Sequence, residues 1–125
     1  MICLDTNYLI FGLVKGSKES EQIMDWYRTG EALVVPMPVW YEFLCGPIRQ
    51  LQIEAMRCFL DEIIVFKEAH AEKAAELFEL VGRKRSLKVD AMIAATSMLM
   101  KAPLATNNTS DFERFTQLGL QLYQA

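Results

Sequence analysis

The chain has 125 residues, of which 52% are apolar and 23% are charged, and its formal net charge is −3 at pH 7. A chain of this length is expected to form a single domain over residues 1–125, with its own hydrophobic core. The acidic balance argues against a protein that coats nucleic acid through a broadly basic surface.

Apolar spacing predicts strands that alternate with helices along most of the chain. Thr29-Gly30 supplies a helix stop, and Pro38 is suited to the first turn of a helix. In chain order the predicted elements are strand 2–4, a helix through residues 8–11, helix 17–28, strand 33–35, helix 38–45, helix 51–60, strand 63–66, helix 68–84, helix 89–100, strand 103–106, helix 110–115 and strand 118–123.

This alternation predicts a three-layer α/β/α fold with a mainly parallel, five-stranded sheet. In such sheets, ligand groups gather beyond the carboxyl ends of the strands, near the switch in strand order. Two polar segments are expected at that edge. Residues 5–7 (Asp-Thr-Asn) follow the first strand, and residues 106–111 (Thr-Asn-Asn-Thr-Ser-Asp) follow the fourth.

Two further features bear on location. No apolar stretch reaches the roughly 20 residues of a membrane span, and Asp5 interrupts the first apolar run too early for a signal peptide. Cys3, Cys45 and Cys58 have apolar neighbours and no metal-ligand spacing. They are expected to be buried free thiols in a reducing compartment, which indicates a cytoplasmic protein with no membrane partner.

Most of the 16 acidic residues, Glu19 among them, lie on predicted helix surfaces, where solvation explains them. Four acids are placed differently. Asp5 ends an apolar strand, Glu42 is the only charge in residues 34–48, and Asp90 and Asp111 fall near helix starts close to the predicted ligand edge. Each has a structural alternative: helix capping for Asp5, a surface stripe for Glu42, and first-turn placement for Asp90 and Asp111.

The four acids can form one functional site only if their side chains lie close together in the fold. Carboxylates that share a cavity raise one another's pKa unless a cation is present. Oxygen-only ligands suit Mg²⁺ or Mn²⁺, which keep coordination positions for water and substrate oxygens. The set therefore predicts a site for a divalent cation that acts on a phosphodiester.

The same residues carry a resemblance to a known family. Residues 2–10 (ICLDTNYLI) resemble the opening of PIN-domain proteins, in particular VapC-type toxins of type II toxin–antitoxin systems. Glu42 stands in Tyr-Glu-Phe-Leu at the corresponding distance, and residues 89–95 (VDAMIAA) resemble the third acidic motif. Residues 104–112 (LATNNTSDF) resemble the last motif, in the form found in toxins that cut transfer RNA.

The resemblance implies strand order 3-2-1-4-5, a divalent-metal endoribonuclease, a homodimer and inhibition by a small antitoxin. It implies that Asp5, Glu42, Asp90 and Asp111 form the acidic site, with Asn7 and Thr106 as polar neighbours. Many relatives carry an acid where this chain has Asn108, so the number of metal ions stays open. The roles expected by hypothesis are direct ligation by Asp5 and Asp90, ligation through water by Asp111, and ligation or water orientation by Glu42.

RNA requires positive contacts despite the acidic total. Arg83, Lys84, Arg85 and Lys88 stand just before Asp90 and are predicted to contact phosphates. A solvated helix end, where cations complement the dipole, is an equal alternative.

Other α/β proteins fit less well. A haloacid-dehalogenase-like phosphatase needs Asp-x-Asp after the first strand, but here the third residue is Asn7. A receiver domain needs an acidic pair after the first strand and an isolated aspartate after the third, where Lys67 and Glu68 stand. A catalytically inactive PIN-like module that binds RNA or protein remains open.

Overall fold

The computed structural model describes residues 1–124. Within this range the regular strands are β1 (Ile2–Leu4), β2 (Leu33–Pro36), β3 (Glu62–Ile64) and β4 (Leu104–Ala105). The α-helices are α1 (Thr6–Phe11), α2 (Lys18–Arg28), α3 (Met37–Cys45), α4 (Gln50–Phe59), α5 (Glu68–Leu80), α6 (Lys88–Met100) and α7 (Thr109–Thr116). A short 3₁₀-helix, Arg85–Leu87, precedes α6.

The strands form one parallel sheet in the order β3-β2-β1-β4. In its register Cys3 lies between Val34 of β2 and Leu104 of β4. The chain thus starts in the middle of the sheet, moves outward through β2 and β3, and returns to the other side of β1 as β4. The switch in strand order, where ligand groups collect in such folds, lies between β1 and β4.

The predicted fifth strand, 118–123, differs from the structure, where the sheet of residues 1–124 has four strands. In its place the described residues form one parallel bridge, between Leu104 and Leu122. Helix α7 continues to Thr116, and a turn with Gly119 at φ 114° follows it. Few extended residues are then left to pair with β4, although the bridge lies on the side where the fifth strand was expected.

The sheet has helices on both faces. Side chains alternate between the two faces of a strand, yet every residue of β1, β2 and β4 is buried. Both faces are therefore covered, which confirms the predicted α/β/α layering. Small residues of α6, namely Ala91, Ala94 and Ala95, are also buried and allow that helix to approach closely.

Some local expectations were wrong. Helix α5 ends at Leu80 instead of residue 84, because Gly82 and Arg83 both adopt positive φ angles. Of the three cysteines only Cys3 is buried, whereas Cys45 and Cys58 lie on exposed sides of α3 and α4.

Within residues 1–124 no helix is long and apolar enough to cross a bilayer.

Candidate active site

The site begins at the carboxyl ends of the two adjacent strands β1 and β4. Asp5 follows β1 directly, and its backbone N–H donates to the carbonyl oxygen of Ala105 at 3.0 Å. Thr106 follows β4 directly. The parallel pairing of β1 with β4 therefore brings residues 101 positions apart into contact.

Asp5 is a buried carboxylate with both oxygens occupied. Its side chain is only 4% exposed. Oδ1 accepts from the backbone N–H of Thr6 at 2.8 Å, and Oδ2 accepts from the hydroxyl of Thr106 at 2.6 Å. Burial raises the pKa of Asp5, the two hydrogen bonds lower it, and the negative charge of Asp111 raises it again. The bond from Thr6 also makes Asp5 the N-cap of α1, so the capping alternative and the site placement hold together.

Asp90 lies in the first turn of α6 and is half-buried. Burial, followed by the negative charges of Asp5, Asp111 and Glu42, raises its pKa to about 6. The carboxyl group of Asp90 therefore lies within electrostatic range of the other three acids. Because these acids come from different elements, the fold has gathered them into one region.

Glu42 projects from α3 and is exposed, although it is the only charge in residues 34–48. Tyr41 and Leu44 beside it are exposed as well, and only one face of α3 is buried. One oxygen of Glu42 accepts from the hydroxyl of Thr6 at 2.9 Å. Thr6 thus donates to two acids, from its backbone N–H to Asp5 and from its hydroxyl to Glu42.

Asp111 is exposed in the first turn of α7, after the N-cap residue Asn108. The backbone N–H of Asn108 donates to the hydroxyl oxygen of Thr106 at 3.0 Å. Asn7 is partly buried in α1, two residues from Asp5. The polar neighbours predicted from the sequence therefore follow the same two strand ends, and Thr106 makes the direct contact with Asp5.

The four acids, which we call the acidic cluster (Asp5, Glu42, Asp90 and Asp111), suit a hard cation by their donor chemistry. Every donor is an oxygen, as Mg²⁺ and Mn²⁺ prefer. None of the four forms a salt bridge within residues 1–124. In the same range, no three His, Cys, Asp or Glu side chains form a ready-made metal-ligand group. The cluster is close enough for mutual repulsion but is not drawn together around one point.

The predicted RNA-contacting residues are all exposed: Arg83, Lys84, Arg85 and Lys88. Arg83 is engaged with the end of α5, because its guanidinium donates to Glu79 at 2.8 Å and lies 5.9 Å from the ring centre of Phe78. The other three have no ion-pair partner within residues 1–124. They flank the start of α6, the helix that carries Asp90.

Sequence reasoning missed three residues that belong to this arrangement. Thr6 was given no role of its own in the Asp-Thr-Asn segment, yet its hydroxyl donates to Glu42. Glu19 was expected on a solvated helix surface but is only 6% exposed, and Asn107 donates to it at 3.1 Å. A long-range contact of this kind leaves no local signal in a single sequence, whereas the position of Thr6 beside Asp5 was available.

The fold and the acidic cluster can be compared with known protein families. The model of the PIN domain family matches residues 2–118. The chain belongs to the PIN domain family, which confirms the resemblance carried by its motifs. PIN domains are generally nucleases, and they generally use divalent metals.

Solved structures agree with this family. One similar chain comes from a toxin–antitoxin complex of Klebsiella pneumoniae, with a TM-score of 0.69, 28% identity and 90% of each chain covered. Another belongs to VapBC2 from Rickettsia felis bound to a promoter DNA fragment, with a TM-score of 0.75, 20% identity and coverage of 99% of this chain and 100% of that one.

A third similar chain is in FitAcB from Neisseria gonorrhoeae, with a TM-score of 0.70, 18% identity and coverage of 99% and 97%. At these identities the Rickettsia and Neisseria structures show likeness of fold alone. No curated protein gives a significant match.

Proposed function

We propose that this chain is a single-domain, metal-dependent endoribonuclease that hydrolyses RNA phosphodiester bonds and acts as the toxin of a toxin–antitoxin pair. The observation that carries the proposal is the electrostatic environment of Asp90. Its carboxyl group experiences the negative charges of Asp5, Asp111 and Glu42 together. Grouping four acids lowers folding stability unless a cation offsets their charge, because like charges at short range repel. Such a grouping therefore favours a functional site.

The acidic cluster would hold Mg²⁺ or Mn²⁺. Asp5 and Asp90 are the proposed direct ligands, Asp111 a ligand through water, and Glu42 a ligand or the base that orients the attacking water. The cation, when bound, lowers the pKa of a coordinated water and offsets charge at the phosphate. A bound cation would also relieve the repulsion that, after burial, raises the pKa of Asp90, so cation binding and folding stability would be coupled.

The protein's own residues fix the geometry of this chemistry. The hydroxyl of Thr106 and the N–H of Thr6 hold the two oxygens of Asp5, and the hydroxyl of Thr6 holds Glu42. Asn7, two residues after Asp5 in α1, is proposed to contact a substrate oxygen. Because these groups are in place before RNA binds, less ordering is required at the moment of reaction.

Lys84, Arg85 and Lys88 are proposed to bind RNA phosphates beside the acidic cluster. Arg83 is expected to add less, since it already pairs with Glu79. Contacts of this type position RNA without reading its sequence. A structured RNA such as tRNA is the proposed substrate class, on the strength of the Thr-Asn-Asn-Thr segment at residues 106–109.

An antitoxin and a second copy of the chain are the proposed protein partners, in a cytoplasmic setting. The similar Klebsiella structure is a toxin–antitoxin complex. Helices α1 and α3 contact each other, and together with the turn after α1 they expose apolar side chains, namely Ile10, Phe11, Val14, Tyr41 and Leu44. An exposed apolar surface of this kind fits a protein interface.

Purified protein incubated with total RNA tests the proposal. Cleavage is expected with Mn²⁺ or Mg²⁺, and it should be abolished by EDTA and by Asp5→Asn. Sequencing the new RNA ends would identify the target and test the tRNA assignment. Intact RNA under every condition, together with binding of RNA or protein, would instead support an inactive module.

A further inference from the structure

Glu19 occupies an unexpected environment for an acid on an amphipathic helix. It is 6% exposed, although Glu21, in the same first turn of α2, is exposed. Residues two apart on a helix face different sides. The helix therefore turns Glu19 toward the interior and leaves Glu21 in solvent, which makes Glu21 a matched reference for Glu19.

The hydrogen-bond partner of Glu19 belongs to the turn that follows β4. The side-chain amide of Asn107 donates to Oε2 of Glu19 at 3.1 Å, across 88 residues of sequence. Thr106, the residue before Asn107, donates to Asp5 at 2.6 Å and accepts from the N–H of Asn108 at 3.0 Å. One short turn thus contacts Glu19 on one side and Asp5 on the other.

Burial of Glu19 is not explained by packing. A buried carboxylate costs several kcal/mol by rough measure unless donors compensate it, and an apolar side chain of similar size would avoid that cost. Within residues 1–124 no cationic side chain pairs with Glu19. Its compensation comes from Asn107 and from the amino-terminal end of α2, where the helix dipole favours negative charge.

Glu19 also lies beside α1. Burial raises the pKa of Tyr8, and the negative charge of Glu19 raises it further. The ring of Tyr8 packs against Trp26 of α2, with ring centres 5.7 Å apart. Glu19 therefore stands where α1, α2 and the turn after β4 meet.

We infer that Glu19 is a positioning residue: by holding Asn107, it fixes the 106–108 turn so that the Thr106 hydroxyl orients Asp5 for metal binding. This inference rests on the proposed function. Outer hydrogen-bond partners of metal-binding side chains typically change metal affinity or activity by about 10- to 100-fold when removed. Glu19 acts here through two intermediates, so the lower end of that range is expected.

The test compares Glu19→Ala with the matched control Glu21→Ala, and adds Glu19→Gln, which keeps an oxygen that accepts from Asn107. Mn²⁺ affinity of the RNA-free protein is measured by calorimetry. Hydrogen exchange of the backbone amide of Asn108, which donates to the hydroxyl oxygen of Thr106, is measured by NMR without metal. Cleavage rates across Mn²⁺ concentrations separate weaker metal binding from weaker RNA binding.

We expect Glu19→Ala to weaken Mn²⁺ binding about tenfold, to speed exchange of the Asn108 amide and to leave the KM for RNA within about twofold. Glu19→Gln should recover most of the Mn²⁺ affinity, and Glu21→Ala should match the parent protein. Should Glu19→Ala fail to fold, Asn107→Ala removes the same hydrogen bond from an exposed position and should give the same changes.

A Glu19→Ala variant that equals Glu21→Ala in Mn²⁺ affinity and Asn108 exchange overturns the inference, even if the parent cuts RNA. Failure of Glu19→Gln to improve on Glu19→Ala overturns it as well. A parent that binds Mn²⁺ but cleaves no RNA defeats the proposed function alone, because Mn²⁺ affinity and Asn108 exchange still test the role of Glu19. The two failures are therefore distinguishable.

Discussion

The buried and exposed halves of the acidic cluster are built differently. Asp5 is nearly inaccessible, and each of its oxygens accepts a hydrogen bond from a neighbouring residue. Glu42 and Asp111 are exposed, and within residues 1–124 the hydroxyl of Thr6 is the only hydrogen-bond partner of the Glu42 side chain. The sheet therefore fixes one ligand rigidly, while helices bring the others to its edge with more freedom.

This difference explains how the four acids lie near one another without forming a compact set of metal ligands. The acids are near enough for Asp90 to respond to the other three, yet no three of the described side chains form a ready metal-ligand group. The exposed carboxylates can keep apart in water, where their repulsion is screened. Removing groups from each half should therefore have unequal effects, with the larger losses on the buried half.

The largest effect is expected at Asp5. Asp5→Asn keeps the size of the side chain but removes its negative charge, so a bound cation loses its best-fixed ligand. We expect RNA cleavage to fall by roughly a thousandfold or more, within the range seen when essential groups are removed. Initial rates at saturating Mn²⁺ measure this, with Asp25→Asn on the exposed side of α2 as the control. A loss below about tenfold would remove Asp5 from the centre of the site.

The next effect is expected at Thr106. Thr106→Val deletes the hydroxyl that donates to Asp5 at 2.6 Å. The Mn²⁺ concentration for half-maximal cleavage should rise by about 10- to 100-fold. Thr106→Ser keeps the hydroxyl and should behave nearly as the parent. Equal behaviour of the valine and serine variants would show that Asp5 needs no fixed partner.

A smaller effect is expected on the exposed half. Thr6→Val removes the hydroxyl that contacts Glu42 but keeps the backbone bond to Asp5. Because one exposed hydrogen bond contributes about 1 kcal/mol, cleavage should fall only about fivefold. Thr6→Ser is the control. A loss as large as that of Thr106→Val would reverse the ranking of the two halves.

The smallest effect is expected in folding stability at Asp90. Its pKa of about 6 lies above the ordinary 3.8 of aspartate, so the folded protein disfavours the ionised form. The parent should lose stability as pH rises from about 4 to 6 and stay level above that. Asp90→Asn should therefore unfold at higher temperature without metal at pH 7.5.

The gain from Asp90→Asn should be about 1 kcal/mol, since solvent screens this half-buried carboxyl, which is about 3 °C in melting temperature. It should shrink toward zero at pH 4, and Mn²⁺ should stabilise the variant less than the parent. Thermal unfolding at both pH values, with and without Mn²⁺, measures this. A gain that persists unchanged at pH 4 would mean that relieved charge repulsion is not its cause.

Much of the fold was predictable because its signals are local. The apolar run before Asp5, the alternation of strands with helices and the small residues of α6 each lie within one segment, and the structure contains all three. The fifth strand was not predictable in the same way. Its apolar pattern is present, but the turn at Gly119 leaves it only the bridge at Leu122.

The acids of the site were also available from the sequence, because each stands at a strand end or helix start. Their surroundings were not. Glu42 is exposed because the apolar residues beside it on α3 are exposed too, and Glu19 is buried because Asn107 reaches it from 88 residues away. Exposure and pairing of this kind depend on tertiary contacts that one sequence does not encode locally.

The central position of β1 has a consequence for biosynthesis. β1 needs β4, which lies far along the chain, as its neighbour. A growing chain that has not yet reached residue 106 lacks the hydroxyl that holds Asp5, and one short of residue 111 lacks the fourth acid. The acidic cluster can therefore form only after residues 106–111 have been synthesised and β4 has paired with β1.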